Sequence, residues 1–334
     1  MAELLAKFNL LFSKIKTAEN ILLVSHIYPD VDAISSLGAM IELVQAENKK
    51  YLALSFHKED LAMHYLPHEE LICGDLPHGF DFSKFDLIII LDCGALSRTG
   101  LENFIKNKSA KQFVVEIDHH PKIDDYANLE IRLSQISSTA EVIFGFIKSQ
   151  KIKITKNLAN CLMAGILRDT GNFAYSSTSE TTIKIVSELV LYGAQFPKMM
   201  RSFAQNKDLQ ALKLWGLALD NLKINKKYNV AVSVLTKSEI LAVAGANTLA
   251  EINNEIFGDI VGFLSDLAGV KAIVLLREED DKRLKVNLRT ADNNVDMARL
   301  AQIFGGGGHV KASGFLVTGN IEKNGSGWHF DFLK

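Results

Sequence analysis

The sequence predicts an α/β protein of two domains. An N-terminal parallel sheet with helices on both faces is followed by a helical linker and a smaller C-terminal α/β domain with a mixed sheet. Three observations lead there. Short apolar runs recur at residues 21–24, 87–91 and 113–117, with helical spacing between them, as in residues 33–45. The strand-and-helix pattern restarts after about Asn225. A chain of 334 residues also exceeds the size at which one hydrophobic core stops growing. The expected boundaries are 1–195, 196–225 for the linker and 226–334.

Each element has its own reason. Residues 1–16 have amphipathic helical spacing and lack the apolar run and cleavage site of a signal peptide. The three apolar runs are continuous and β-branched, which suits strands buried on both faces of a parallel sheet. Alternating strand and helix implies crossover connections. Residues 157–167 have helical spacing and run into Arg168-Asp169-Thr170-Gly171, where Gly171 suits a helix end. Helices are expected to continue through 181–192 and 209–222, the second of them in the linker. Beyond it, 230–235, 272–276 and 285–288 are expected strands, and 240–244, 250–267 and 295–303 expected helices.

Composition narrows the function. Hydrophobic residues make up 48% and charged residues 23%, as in ordinary globular proteins. A net charge of −2 argues against a duplex-coating protein, so any nucleic-acid contact should be a local pocket. No stretch approaches the roughly 18 apolar residues of a membrane span. Three cysteines (Cys73, Cys93, Cys161) without C-x-x-C spacing fit a reduced, cytoplasmic setting.

The three runs share one further property: each ends in residues capable of chemistry. The first enters Ser25-His26 and continues to Asp30 and Asp32, the second enters Asp92, and the third enters Asp118-His119-His120. Ligands of open parallel sheets sit outside the carboxyl ends of the strands, which is where these side chains fall. Singly, each has a plain explanation: Asp30 or Asp32 as a helix cap, Asp92 as loop solvation. Two histidines after an aspartate are more telling, since the carboxylate can orient one ring. Together, His26, Asp30, Asp32, Asp92, His119 and Asp169 form a nitrogen and oxygen ligand set without thiolate. Such a set suits Mn²⁺ or Mg²⁺, and its imidazoles favour Mn²⁺.

The second domain has its own marker, Phe304-Gly305-Gly306-Gly307-Gly308-His309. Glycines let backbone N–H groups approach an anion, and His309 supplies a further donor; the plain alternative is a flexible loop. Arg289 ends an expected strand and is either a bidentate phosphate clamp or a solvated terminus. His57, His64, His68 and His78 show no ligand spacing and are expected on the surface. A dinucleotide fingerprint, a P-loop and a nucleophile elbow are all absent.

These motifs resemble the DHH phosphoesterase family, named for the triplet present here as Asp118-His119-His120. The resemblance covers nearly the whole chain. The opening motif matches His26, Asp30 and Asp32, the second Asp92, and the fourth Asp169. The glycine run with His309 and Arg289 are similar to the marks of the DHH-associated C-terminal domain. Val31, Ser35 and Arg168 depart from the usual residues but remove no ligand, which leaves fine substrate preference as what they bear on.

The compact architecture resembles the nano-RNase and pAp-phosphatase branch. That implies hydrolysis of short oligonucleotides and of 3′-phosphoadenosine 5′-phosphate (pAp). One ion would lie at His26, Asp30 and Asp92, and another at Asp32, Asp92, His119 and Asp169, with Asp92 bridging. His120 would stabilise the transferring phosphoryl group or protonate the leaving oxygen. Substrate would be held by Arg289, the glycine run and His309, and a homodimer is implied. A cyclic di-AMP or pApA phosphodiesterase is the nearest alternative, and a nucleotide-binding regulatory protein the alternative of another class.

Overall fold

The computed structural model describes residues 2–58, 65–205, 209–249, 252, 255–265, 267–279, 282–324 and 327–332. The chain divides into two compact units, Met1–Ala204 and Gln205–Lys334. In the first, the elements run α1 (Ala2–Thr17), β1 (Asn20–Ser25), α2 (Val31–Ala46), β2 (Lys50–Leu54), β3 (Ile72–Cys73), β4 (Leu87–Leu91), α3 (Glu102–Lys106), β5 (Phe113–Asp118), β6 (Leu129–Arg132), α4 (Thr139–Ser149), α5 (Lys156–Asp169), α6 (Glu180–Leu191) and α7 (Phe196–Gln205).

The six strands form one all-parallel sheet in the order β3-β2-β1-β4-β5-β6. Both faces are covered, which is why the strands are apolar at successive positions. Along β1, Ile21 and Leu23 join the core packed by α2, α4 and α5, whereas Leu22 and Val24 join the core on the opposite face. β4 divides in the same way, with Ile89 and Leu91 on the first face and Ile88 and Ile90 on the second. The strand order reverses between β1 and β4, so the connections leave those two strands in opposite directions. Such a switch point opens a crevice at the carboxyl ends.

The second unit contains α8 (Leu209–Asp220), β7 (Lys223–Asn225), β8 (Val230–Leu235), α9 (Lys237–Ala244), α10 (Glu255–Leu264), β9 (Ala272–Glu278), β10 (Arg283–Arg289), α11 (Met297–Ile303), β11 (Gly307–Gly308), β12 (Ala312–Asn324) and β13 (Gly327–Phe332). Its sheet runs β11-β12-β10-β9-β8-β7, with β13 on β12, and is mixed: β8 and β9 are parallel and the other pairs antiparallel. One face packs against α8, α9 and α10, while Met297 and Ala301 of α11 join the core on the other.

Several elements (the edge strands β3, β6, β7, β11 and β13, and the inner strand β2) lack the long apolar run that marks β1, β4 and β5, and for that reason the sequence did not disclose them. The expected helix at 250–267 is shorter, and parts of that range lie outside the described residues. In the expected linker, α7 belongs to the first unit and α8 to the second. No helix among the described residues is long and apolar enough to cross a membrane.

Candidate metal centre

Strand register brings the candidate residues together. Ser25 pairs with Leu91, and Leu91 with Ile117, so the residues that follow these three strand ends emerge side by side. They are His26, Asp92 and Asp118.

His26 is buried, and its Nδ1 lies 2.9 Å from Ile27 O. A carbonyl at that distance takes a proton from Nδ1, which leaves the lone pair on Nε2. Nε2 is itself buried without a hydrogen-bond partner. Burial, reinforced by Arg98, lowers the His26 pKa and favours the neutral ring. Asp30 Oδ1 caps α2 by accepting from Ala33 N at 3.1 Å, and its Oδ2 stands 3.9 Å from His26 Nε2. The capping explanation and the ligand explanation thus apply to different oxygens of one carboxylate.

Asp92 adopts φ 58°, the left-handed region that few non-glycine residues enter. Its Oδ1 accepts from Thr139 Oγ1 at 2.9 Å and faces His120 Nδ1 at 3.3 Å and His119 Nε2 at 3.5 Å. Its Oδ2 is buried without a donor. Asp32 lies on the N-terminus of α4: Oδ2 accepts from Thr139 N at 2.7 Å and Oδ1 from Ala140 N at 3.0 Å. Burial, and then the charges of Asp92 and Asp169, push its carboxyl well above the usual range. Asp169 ends α5, and its Oδ2 is 3.1 Å from His119 Nε2. Burial also raises Asp169, opposed by His119. Burial works against a charged His119, but Asp169, Asp92 and Asp32 outweigh it and hold its pKa well up.

Two groups of three donors hold the six expected ligands between them. The donor atoms of His26, Asp30 and Asp92 lie within 4.8 Å of one another, and so do those of Asp32, His119 and Asp169. Asp92 Oδ1 faces His119 of the second group, so this carboxylate stands between the two. Residues 20–166 match the DHH family's N-terminal domain, and residues 227–324 match the DHHA1 domain.

The chain belongs to the DHH family.

Among DHH proteins, it is 28% identical over 312 residues to the bifunctional oligoribonuclease and PAP phosphatase NrnA of Bacillus subtilis, a match covering 92% of each chain. The probable bifunctional oligoribonuclease and PAP phosphatase NrnA of Streptococcus mutans is 27% identical over 316 residues, again 92% of each. A solved structure, an exopolyphosphatase-related protein from Bacteroides fragilis, superposes with a TM-score of 0.83 at 28% identity, covering 93% of this chain and 90% of that one.

The DHH triplet divides its labour. Asp118 lies outside those two groups and forms a further one with Asp92 and His120: its Oδ1 accepts from His120 N at 2.8 Å and lies 2.9 Å from His120 Nδ1, and its Oδ2 accepts from Gly94 N at 2.7 Å. It orients the His120 ring. Burial opposes charge on His120, yet Asp118 and Asp92 raise its pKa to about 9. Behind the triplet, Arg132 Nη1 donates to His120 O at 2.6 Å, and its Nη2 lies 2.6 Å from Glu116 Oε1.

Sequence reasoning missed this support: Thr139, Arg132, Glu116, and Gly165 of α5, where a Cβ would lie 2.3 Å from Asp32 Oδ1. One signal was available. Ser138, with Glu141 three residues on, is a helix start, and Ser138 Oγ accepts from Glu141 N at 3.1 Å.

Arg289, Gly305, Gly306, Gly307, Gly308 and His309 lie in the second unit. Gly305 N donates to Gln302 O and Gly306 N to Ala301 O, closing α11. A Cβ on Gly306 would meet Gly314 O at 2.2 Å, so close packing against β12 requires glycine there. His57 and His78 are exposed as expected. His68 is not: it sits in a polar contact 2.5 Å from Glu42 Oε2, with its side chain 14% exposed. His64 lies outside the described residues.

Proposed function

We propose that this DHH phosphoesterase hydrolyses very short oligonucleotides to mononucleotides and removes the 3′-phosphate of pAp, with two divalent cations, manganese foremost and magnesium as substitute. The observation that carries the reading is a pair of orphaned atoms. His26 Nε2 and Asp92 Oδ2 are buried without partners, one of them a neutral imidazole nitrogen and the other a carboxylate oxygen. Leaving such groups unpaired costs about 1–3 kcal/mol each, and carboxylates pushed toward the neutral form by burial and mutual repulsion add to it. A cation relieves all of these at once. The donors fit a hard divalent ion: nitrogen and oxygen only, in two groups of three.

His26, Asp30 and Asp92 would hold one ion, and Asp32, His119, Asp169 and the shared Asp92 the other. When bound, such a pair supplies an acidified water and a charge clamp across the attacking and leaving oxygens of an in-line displacement. The chain's own groups do the rest. Asp118 fixes His120 through Nδ1, so Nε2 is the nitrogen that would meet the phosphoryl oxygen or the leaving group. Thr139 and the Ala140 N–H hold the Asp32 and Asp92 carboxylates in place, and Gly165 leaves room for Asp32. Arg289, His309 and residues 305–308 would bind the nucleotide.

Substrate identity is supported by the relatives named oligoribonuclease and PAP phosphatase, which align along nearly the whole chain. The same reading places the enzyme in the cytoplasm, consistent with its unpaired cysteines, and as a homodimer, as family resemblance implies. The test is product analysis with Mn²⁺ on di- to penta-ribonucleotides, pAp, cyclic di-AMP and pyrophosphate. Mononucleotides from the short chains, and adenosine monophosphate from pAp, are the expected products. Turnover confined to cyclic di-AMP or pyrophosphate would overturn the reading.

A further inference from the structure

The turn that carries His26 and Asp30 also carries an aromatic ring that neither the donor groups nor the core uses. Tyr28 stands two residues from each of those ligands. It is 63% exposed, and its ring stacks on that of His57, with centroids 4.4 Å apart and planes at 11°. Both residues hold left-handed backbone, φ 52° at Tyr28 and 62° at His57, a region that bulky side chains seldom enter. An exposed tyrosine by itself calls for no explanation. Two aromatic residues in costly conformations, ring against ring beside a donor group, do.

The stack is fixed to the edge of the sheet at which the donors collect. β1 and β2 are neighbouring parallel strands, and Tyr28 and His57 each follow three residues after the end of one of them. Tyr28 N donates to Phe56 O at 3.1 Å, Ile27 N to Arg98 O at 2.8 Å, and Ser55 Oγ to His26 O at 3.0 Å. These bonds tie the turn to the segments that follow β2 and β4. The ring is thus held before any ligand arrives, which lowers the entropy lost on binding. His57 covers one face, so the exposed surface of Tyr28 is the other face and the ring edge. Consecutive Cα atoms are about 3.8 Å apart, which keeps Tyr28 Cα within about 7.6 Å of the Cα atoms of both His26 and Asp30. A phosphate seated at those donors would have its own sugar and base within reach of the ring.

We propose that the outer face of Tyr28 is a stacking platform for the base of a nucleotide whose phosphate lies at His26, Asp30 and Asp92. Every nucleobase has a π-face, so such a platform accepts all of them and adds affinity without reading sequence. It selects against phosphate compounds that carry no base, such as pyrophosphate. The proposal rests on the function proposed above only in taking the ligand to be a nucleotide.

Tyr28→Ala removes the ring and Tyr28→Phe keeps it. With full-length protein and Mn²⁺, KM for a dinucleotide should rise about tenfold in Tyr28→Ala, the size of one lost base stack, and stay within about twofold of the unmodified value in Tyr28→Phe. The ligand supplies the matching control. Of two dinucleotides, one abasic at its first residue and the other at its second, one should show no KM difference between the unmodified protein and Tyr28→Ala. A binding arm does not depend on turnover: the 5′-monophosphate of 2-aminopurine riboside, whose fluorescence is quenched on stacking, is titrated with full-length protein and Mg²⁺. Quenching by the unmodified protein and by Tyr28→Phe, with about tenfold weaker binding by Tyr28→Ala, is the expected result. No quenching by the unmodified protein, an unchanged KM in Tyr28→Ala, or an equal loss in Tyr28→Phe would overturn the platform. Failure of the proposed function would appear separately, as no turnover of any nucleotide by the unmodified protein while the quenching persists.

Discussion

Gly165 faces the Asp32 carboxylate so closely that a single added carbon would lie 2.3 Å from Asp32 Oδ1 and 2.7 Å from Ala140 Cβ. Two helices and a buried acid meet at that point: α5 supplies the glycine, α4 supplies the N–H groups that hold Asp32, and Asp32 belongs to the first turn of α2. A glycine inside a helix costs about 0.5–1 kcal/mol relative to alanine, and here the close approach accounts for it.

Gly165→Ala is accordingly expected to displace Asp32 from the α4 N-terminus. Overpacking of this kind costs about 1–3 kcal/mol, and turnover should fall at least about tenfold, because a displacement near 1 Å is enough for that. Thermal unfolding and kcat with saturating Mn²⁺ check both. Wild-type values in both measurements would show that the helices separate without disturbing the carboxylate.

Asp92→Asn isolates charge from backbone. Asparagine tolerates the left-handed conformation that residue 92 adopts, so the fold should be retained. With the carboxylate proposed to serve both ions gone, turnover should drop by about a thousandfold or more, and the rise in melting temperature on adding Mn²⁺ should shrink. Near-normal turnover would remove Asp92 from the site.

A milder effect is expected at Asp118, which touches the ring of His120 and lies outside the two groups that hold the six expected ligands. Asp118→Asn places an amide where the carboxylate accepts from His120 and Gly94. Loss of an orienting group of this type costs roughly 10–100-fold. The distinguishing measurement is calorimetric Mn²⁺ affinity, which should change far less in this variant than in Asp92→Asn.

The pair behind the triplet makes a prediction about pH. Arg132 and Glu116 are both buried, and burial already raises the Glu116 pKa. Arg132→Met would strand the carboxylate at a cost of about 3–5 kcal/mol and raise its folded pKa further above the unfolded value. An acid so shifted binds its proton more tightly when folded. The penalty is therefore absent below the unfolded pKa and grows as pH rises toward the folded one. The gap in melting temperature between variant and wild type should be wide at pH 8 and narrow toward pH 5. A gap that does not vary with pH would mean that Glu116 finds another partner.

Much of this was written in local sequence. The apolar runs of β1, β4 and β5 announced a parallel sheet because strands buried on both faces leave no polar positions, and the ends of those runs announced His26, Asp92 and the triplet because chemistry collects at carboxyl ends. The edge strands were silent, since short half-covered strands need no such run. Gly165, Thr139 and Arg132 were silent as well, because nothing in an isolated glycine, threonine or arginine says which distant carboxylate it will meet.

By itself, then, the sequence determined the α/β class, the restart of the pattern after Asn225 and the six candidate ligand residues, with a grouping implied by family resemblance. Only the tertiary structure decided the distances between them. Register between parallel strands set His26 beside Asp92, and the packing of α2, α4 and α5 gathered Asp32, His119 and Asp169. The reason is physical: burial pattern is a property of neighbouring residues in the chain, whereas a distance between side chains more than a hundred residues apart exists only once the helices and strands have packed.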